Sequence, residues 1–114
     1  MESQSFFTMS IASVNSGEII AEVSLTCEPP GGSHPNPTAA CEQLSRADGR
    51  IEDIPAESGF CTFELNPVIV SASGSWRGEA RRFEKEFANR CLAVRGTGGV
   101  LFAFGNAGLV MSAS

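Results

Sequence analysis

Four cysteines constrain the fold of this 114-residue chain more than any other feature of its sequence. None of them forms a C-x-x-C pair, which argues against a thioredoxin-like dithiol and a zinc ribbon. An even number of cysteines in a small domain is typical of two structural disulfides, which indicate an oxidising compartment. Three pairings are possible, and the sequence does not choose among them. Four reduced, buried cysteines in a cytosolic protein are the alternative. The cysteines are Cys27, Cys41, Cys61 and Cys91.

Charge and composition argue against several other classes of protein. The net charge of −5 disfavours a nucleic-acid partner, which usually requires a clustered basic face. No apolar run reaches the roughly 18–20 residues of a membrane span. The single histidine, His34, excludes a Cys2His2 zinc site, and no nucleophile motif such as G-x-S-x-G accompanies it. We therefore expect no enzyme, no metal and no cofactor, and a His34 that hydrogen-bonds to loop backbone.

The first half of the chain predicts two strands and a helix. Residues 6–14 are β-prone, and residues 19–27 alternate apolar and polar side chains, so the two segments should form an antiparallel hairpin. Residues 38–47 are predicted to be helical, with Asn36 as the cap and Pro37 at the first helical position.

The second half of the chain predicts three further strands. The sequence predicts a strand over residues 68–72 and a turn at residues 73–75. Residues 76–91 match both a helical spacing and a strand alternation, and the preceding turn favours a hairpin. A short helix over residues 88–95 and a final strand over residues 100–104 follow. The sequence therefore predicts an α+β protein with a five-stranded antiparallel sheet, two short helices and two disulfides.

A short segment around the third cysteine has two interpretations. Phe60 and Phe63 lie between two turn-forming pairs, Ser58-Gly59 and Asn66-Pro67. In one interpretation the segment is a strand whose phenylalanines face the core. In the other it is a binding loop that presents an aromatic residue and is braced by a disulfide. The pattern alone favours the core.

Short motifs around the cysteines follow one another in a specific order. They are Leu25-Thr26-Cys27, Gly32-Ser33-His34-Pro35, Ala40-Cys41, Cys61 six residues before Pro67, Gly74-x-Trp76-x-Gly78, Phe87-Ala88-Asn89-Arg90-Cys91 and the apolar run over residues 100–104. Each motif is weak alone. In this order and with these cysteine spacings, the chain resembles the Streptomyces subtilisin inhibitor family of secreted serine-protease inhibitors over residues 6–104.

The resemblance implies the disulfides Cys27–Cys41 and Cys61–Cys91 and a reactive loop that leads away from the second bridge. The family's primary specificity residue lies two positions after the third cysteine, which makes Phe63–Glu64 the implied scissile bond. Subtilisin-like and chymotrypsin-like serine proteases would accept Phe63. Thr62 stands where the family often has proline. The implied loop contacts are Phe60, Cys61, Thr62 and Leu65, and the implied loop supports are Asn89 and Pro67.

The resemblance also implies a secreted protein and a homodimer packed through its sheets. Residues 1–5 lack the features of a signal peptide, so we expect a mature form with an added Met1 and a disordered N-terminus. Residues 105–114 form a C-terminal extension beyond the family pattern, either as a disordered tail or as an extra strand at a sheet edge. The alternative function is a secreted structural or binding module that inhibits no protease.

Overall fold

Four antiparallel strands form the sheet in the part of the chain that the structure describes. The computed structural model describes residues 5–104. The strands lie in the order β2-β1-β3-β4, and each neighbouring pair is antiparallel. The predicted hairpins over residues 6–27 and over the start of residues 76–91 are confirmed. The strands are β1 (Ser5–Ser13), β2 (Ile19–Cys27), β3 (Val68–Trp76) and β4 (Glu79–Phe87).

Two short helices among the described residues complete the predicted α+β class. Helix α1 (Pro37–Arg46) is joined to the end of β2 by the Cys27–Cys41 disulfide, and helix α2 (Arg90–Gly96) follows β4 directly. A single 3-10 turn (Ile51–Asp53) precedes the long segment that leads to β3. One face of the sheet is buried, because alternate side chains of β1 point into the core. Those side chains are Phe7, Met9 and Ile11.

The predicted fifth strand over residues 100–104 is wrong. Residues 100–102 form a turn and residues 103–104 have no regular structure, and the Ala103 N–H donates a hydrogen bond to the Val100 carbonyl oxygen at 3.2 Å. A short apolar run can be buried in the core either as a paired strand or as an irregular segment. Its pattern does not distinguish these two structures. The buried side chains of this run are Leu101, Phe102 and Phe104.

Residues 73–75 continue β3 instead of forming the predicted turn. The chain reverses at Arg77 and Gly78, whose φ angles of 50° and 88° suit a two-residue hairpin connection. Gly74 is needed for close packing, because a Cβ atom there would collide with the carbonyl oxygen of Phe6 on β1. Turns and close backbone approaches both select glycine, so the sequence does not separate them.

His34 has the predicted structural role. Its Nδ1 accepts a hydrogen bond from the Asn36 N–H at 2.9 Å, so Nε2 carries the proton and donates to the Leu101 carbonyl oxygen at 2.9 Å. His34 is 4% exposed, and this burial lowers its pKa below the ordinary value. Pro37 begins α1 as predicted, but the Asn36 side chain makes no cap bond.

The two expectations about the termini fall mostly on residues outside the described region. Strand β1 begins at Ser5, and the rest of the expected disordered N-terminus lies outside the described residues. The C-terminal extension over residues 105–114 lies outside them as well. Within residues 5–104, neither helix is long and apolar enough to cross a membrane.

Candidate functional site

The segment between the 3-10 turn and β3 is an exposed loop. Residues 55–67 contain no helix or strand. Phe60 and Leu65 are each 82% exposed and Phe63 is fully exposed, so the prediction that these phenylalanines face the core is wrong. Burial of each such side chain would contribute about 1.5–3 kcal/mol. Large apolar side chains left in water within one short segment are typical of an interaction site.

A disulfide attaches this loop to α2. Cys61 is bonded to Cys91 in the first turn of α2, with 5.8 Å between their Cα atoms. With the Cys27–Cys41 bridge, this confirms both implied pairings. A bridge that closes a segment of this length stabilises a small domain by about 3–4 kcal/mol in the chain-entropy model. It also holds the loop two residues before Phe63.

Asn89 supports the loop from beneath and caps α2 at the same time. It is 5% exposed, and its Oδ1 accepts a hydrogen bond from the Leu92 N–H at 2.9 Å. Its Nδ2 donates to the carbonyl oxygen of Glu64 at 2.8 Å and lies 3.4 Å from that of Thr62. These two carbonyl groups flank Phe63. One amide group therefore binds the carbonyl group on the Glu64 side of the exposed aromatic residue firmly and contacts the carbonyl group on its Thr62 side.

Main-chain hydrogen bonds hold the end of the loop that leads into β3. The Asn66 N–H donates to the Ala88 carbonyl oxygen at 2.9 Å. The Pro67 carbonyl oxygen accepts from the Val14 N–H at 3.0 Å, which ties the loop to the turn between β1 and β2. Pro67 thus contributes to this end through its carbonyl group.

The beginning of the loop is held by the last turn of α2. The Glu57 N–H donates to the Arg95 carbonyl oxygen at 2.8 Å. The Arg95 Nη1 donates to Glu57 Oε1 at 2.9 Å and to the Ser58 carbonyl oxygen at 3.1 Å. Sequence reasoning missed this contact, because two oppositely charged residues 38 positions apart form no local pattern.

The structure brings most of the implied site residues to one surface. Thr62, Phe63, Glu64 and Leu65 are exposed in the loop, and Asn89 lies beneath them. His34 is bound to Leu101 and does not join the loop. Within residues 5–104, no cluster of His, Cys, Asp and Glu could hold a metal ion. A fixed, exposed backbone with apolar side chains suits binding in the cleft of another protein.

Comparisons with known proteins agree with this geometry. The model of the subtilisin inhibitor-like family matches residues 3–89. Protease inhibitor SIL-V2 from Streptomyces orinoci is 42% identical over 74 residues, which cover 62% of this chain and 68% of that protein. Protease inhibitor SIL-V1/SIL-V4 from Streptomyces netropsis is 37% identical over 103 residues, which cover 82% of this chain and 93% of that one.

A solved structure extends the similarity to the fold. Streptomyces caespitosus sermetstatin, in complex with Bacillus licheniformis subtilisin, matches this protein with a TM-score of 0.65 and 28% identity. The match covers 87% of this chain and 96% of that chain. The relatives are named as protease inhibitors and not as enzymes. On these matches, the chain belongs to the subtilisin inhibitor-like family.

Proposed function

We propose that this protein inhibits subtilisin-type serine proteases by presenting Phe63–Glu64 as a substrate-like peptide bond. The observation that carries the proposal is the fully exposed Phe63, beside which Asn89 holds the Glu64 carbonyl group with a hydrogen bond of 2.8 Å. The names of the relatives and the sermetstatin–subtilisin complex support the same assignment. Because the enzyme supplies the chemistry, the inhibitor needs no catalytic residue of its own.

The proposed mechanism is mimicry of a substrate by a rigid loop. The loop enters the protease cleft as an extended segment and pairs backbone with backbone, while Phe63 fills the primary pocket as an apolar anchor. The enzyme's serine attacks the Phe63 carbonyl carbon, and the amine of Glu64 leaves. The Cys61–Cys91 bridge and Asn89 keep both new ends in place. The amine therefore remains beside the acyl-enzyme and re-forms the peptide bond.

The side chain of Phe63 defines the expected targets. A large apolar residue suits the primary pockets of subtilisin-like and chymotrypsin-like enzymes, whereas the acidic pocket of a trypsin-like enzyme has no partner for it. Glu64 is exposed beside Phe63 and can remain solvated when the loop is bound. Loop rigidity lowers the entropy cost of association, which favours tight binding from an interface of about 1,600 Å².

Titration of three proteases with the purified protein tests this proposal. Subtilisin and chymotrypsin should lose activity in proportion to added protein, and trypsin should not. Phe63→Ala should weaken inhibition of subtilisin by about 30-fold or more, the effect of losing a central anchor. Phe6→Ala is the matched control, because Phe6 is a partly exposed phenylalanine on β1. Undiminished subtilisin activity at excess wild-type protein would refute the proposal.

The same incubation separates the inhibitor from a structural or binding module. An inhibitor should be cut slowly at Phe63–Glu64 or not at all, and the protease should lose activity. A module without inhibitory function should be degraded while the protease stays active. The exposure of Phe60 and Phe63 argues against the structural or binding module, because that interpretation requires both side chains to be buried.

We also propose a homodimer in which the open faces of two sheets pack together. The face of the sheet opposite the core carries short hydroxyl-bearing side chains at the paired positions Thr8 and Ser73. Short side chains at these positions leave room for a second sheet to approach beside the longer Arg82 of β4, which pairs with Ser73. The molecular mass in solution should be that of a dimer for the wild type and of a monomer for Ser73→Arg. A monomeric wild type would contradict this arrangement.

Export to an oxidising compartment is the third part of the proposal. Both bridges support it, because structural disulfides persist outside the reducing cytosol. The native protein isolated from its source should show no reactive thiol before reduction, and it should accumulate in the culture fluid. Recovery of a fully reduced protein from the cytosol would contradict export.

A further inference from the structure

The last turn of α2 makes an unusual set of contacts with the beginning of the loop. The Arg95 guanidinium donates to a side-chain carboxylate, Glu57 Oε1, and to a main-chain carbonyl oxygen, that of Ser58. The Arg95 carbonyl oxygen also accepts the Glu57 N–H. A Cβ atom on Gly59 would collide with the same guanidinium. Arg95 therefore contacts three successive loop residues.

These contacts fix one end of a short segment, and the disulfide fixes the other. Residues 57–61 run alongside α2, from Arg95 in its last turn to Cys91 in its first turn. Phe60 lies between the two attachment points, and its side chain is 82% exposed. The position of Phe60 is therefore set by its backbone, which Arg95 holds at Ser58 and the disulfide holds at Cys61.

We propose that Arg95 is a positioning residue. It fixes the backbone around Phe60, so that Phe60 can contact the protease as a second apolar anchor beside Phe63. This inference rests on the proposed inhibitory function and adds a residue outside the loop to it. An exposed ion pair contributes little to folding stability, and the pair of Arg95 and Glu57 is partly exposed. A charge-assisted bond to a main-chain carbonyl can still order the loop before binding. The loop then loses less conformational entropy when it associates with the protease.

Substitution of Arg95 should weaken inhibition without unfolding the protein. Arg95→Met should raise the inhibition constant for subtilisin by about tenfold, the factor for restoring the backbone freedom of one residue. The urea midpoint should change little. Arg50→Met is the matched control, because Arg50 forms a partly exposed ion pair with Asp48 at 3.3 Å on another part of the surface. It should leave the inhibition constant unchanged.

Two further variants separate positioning from general stabilisation. Glu57→Gln removes the charge pair but leaves the Arg95 bond to the Ser58 carbonyl, so its effect should be smaller than that of Arg95→Met. Phe60→Ala should weaken inhibition strongly in the wild-type background and much less in the Arg95→Met background. A merely structural role for Arg95 would produce no such coupling to Phe60.

Hydrogen exchange in the free protein provides a readout that does not depend on any protease. The Glu57 amide donates to the Arg95 carbonyl oxygen, so it should exchange several-fold faster in Arg95→Met than in the wild type, with the amides of α2 unchanged. If the wild type inhibits subtilisin but Arg95→Met inhibits equally well and shows no coupling to Phe60, the role of Arg95 is overturned. If the wild type fails to inhibit, the proposed function is overturned, and the role of Arg95 in inhibition falls with it.

Discussion

Asn89 makes two contributions that a pair of substitutions can separate. Asn89→Ala removes both the acceptor that caps α2 at Leu92 and the donor that binds the Glu64 carbonyl group. Asn89→Ser keeps a cap acceptor, because serine caps helices about as well as asparagine does. The serine hydroxyl is too short to take over the bond to the loop. The first variant loses the cap and the brace, whereas the second loses only the brace.

The geometry sets the expected cost of each loss. A lost cap costs about 1 kcal/mol of stability, and a lost ordinary hydrogen bond costs about 1 kcal/mol more. The 3.4 Å contact with the Thr62 carbonyl adds little, because it lies beyond the usual N–H···O range. We expect the free energy of unfolding to fall by about 2 kcal/mol in Asn89→Ala. In Asn89→Ser it should fall by about 1 kcal/mol.

Inhibition should respond differently from stability. Both variants release the Glu64 carbonyl group beside Phe63, so both should weaken inhibition of subtilisin by a similar factor of about tenfold or more. Both should also be cut faster at Phe63–Glu64, which mass spectrometry of the incubated mixture would show. Asn36→Ala is the matched control, because Asn36 precedes α1 without a side-chain cap bond. Wild-type inhibition and wild-type resistance to cleavage in Asn89→Ser would refute the brace.

Three other perturbations test the same framework. Phe63→Lys should transfer inhibition from subtilisin and chymotrypsin to trypsin; unchanged specificity in the three titrations would mean that the loop residue is misassigned. Reduction and alkylation of Cys61 and Cys91 should weaken inhibition of subtilisin, and full inhibition by the treated protein would contradict a covalent brace. Burial lowers the pKa of His34 below 6.5, so its contribution to stability is complete above about pH 6.5 and is lost as pH falls through the lower folded-state pKa. Urea unfolding at pH 7 and pH 5 should show a larger loss of stability for the wild type than for His34→Gln, and equal losses would contradict this account.

Local sequence patterns predicted the regular elements well. Residues 21–27 alternate apolar and polar side chains, and β2 spans Ile19–Cys27. The helix predicted over residues 38–47 is α1, at Pro37–Arg46. These elements depend on the spacing of neighbouring side chains, which a sequence records directly.

The same patterns misplaced apolar residues outside regular elements. The local pattern alone favours a core position for Phe60 and Phe63, but both are exposed in the loop, where the family resemblance places them. The apolar run over residues 100–104 predicts a strand, but its buried side chains, Leu101, Phe102 and Phe104, enter the core from a turn and an irregular segment. A phenylalanine carries no local mark of whether it faces its own core or a partner. The outcome depends on which surfaces the rest of the chain covers.

Local patterns and the cysteine count indicate an α+β domain with two disulfides, and the family resemblance implies the place of Phe63. How the loop is held follows only from the packing of distant residues. Asn89 reaches the Glu64 carbonyl across 25 positions, and Arg95 reaches Glu57 across 38 positions. Contacts between residues so far apart exist only when β4 and α2 have been brought under the loop. No periodicity along the chain records them, because they depend on distances in space and not on spacing in sequence.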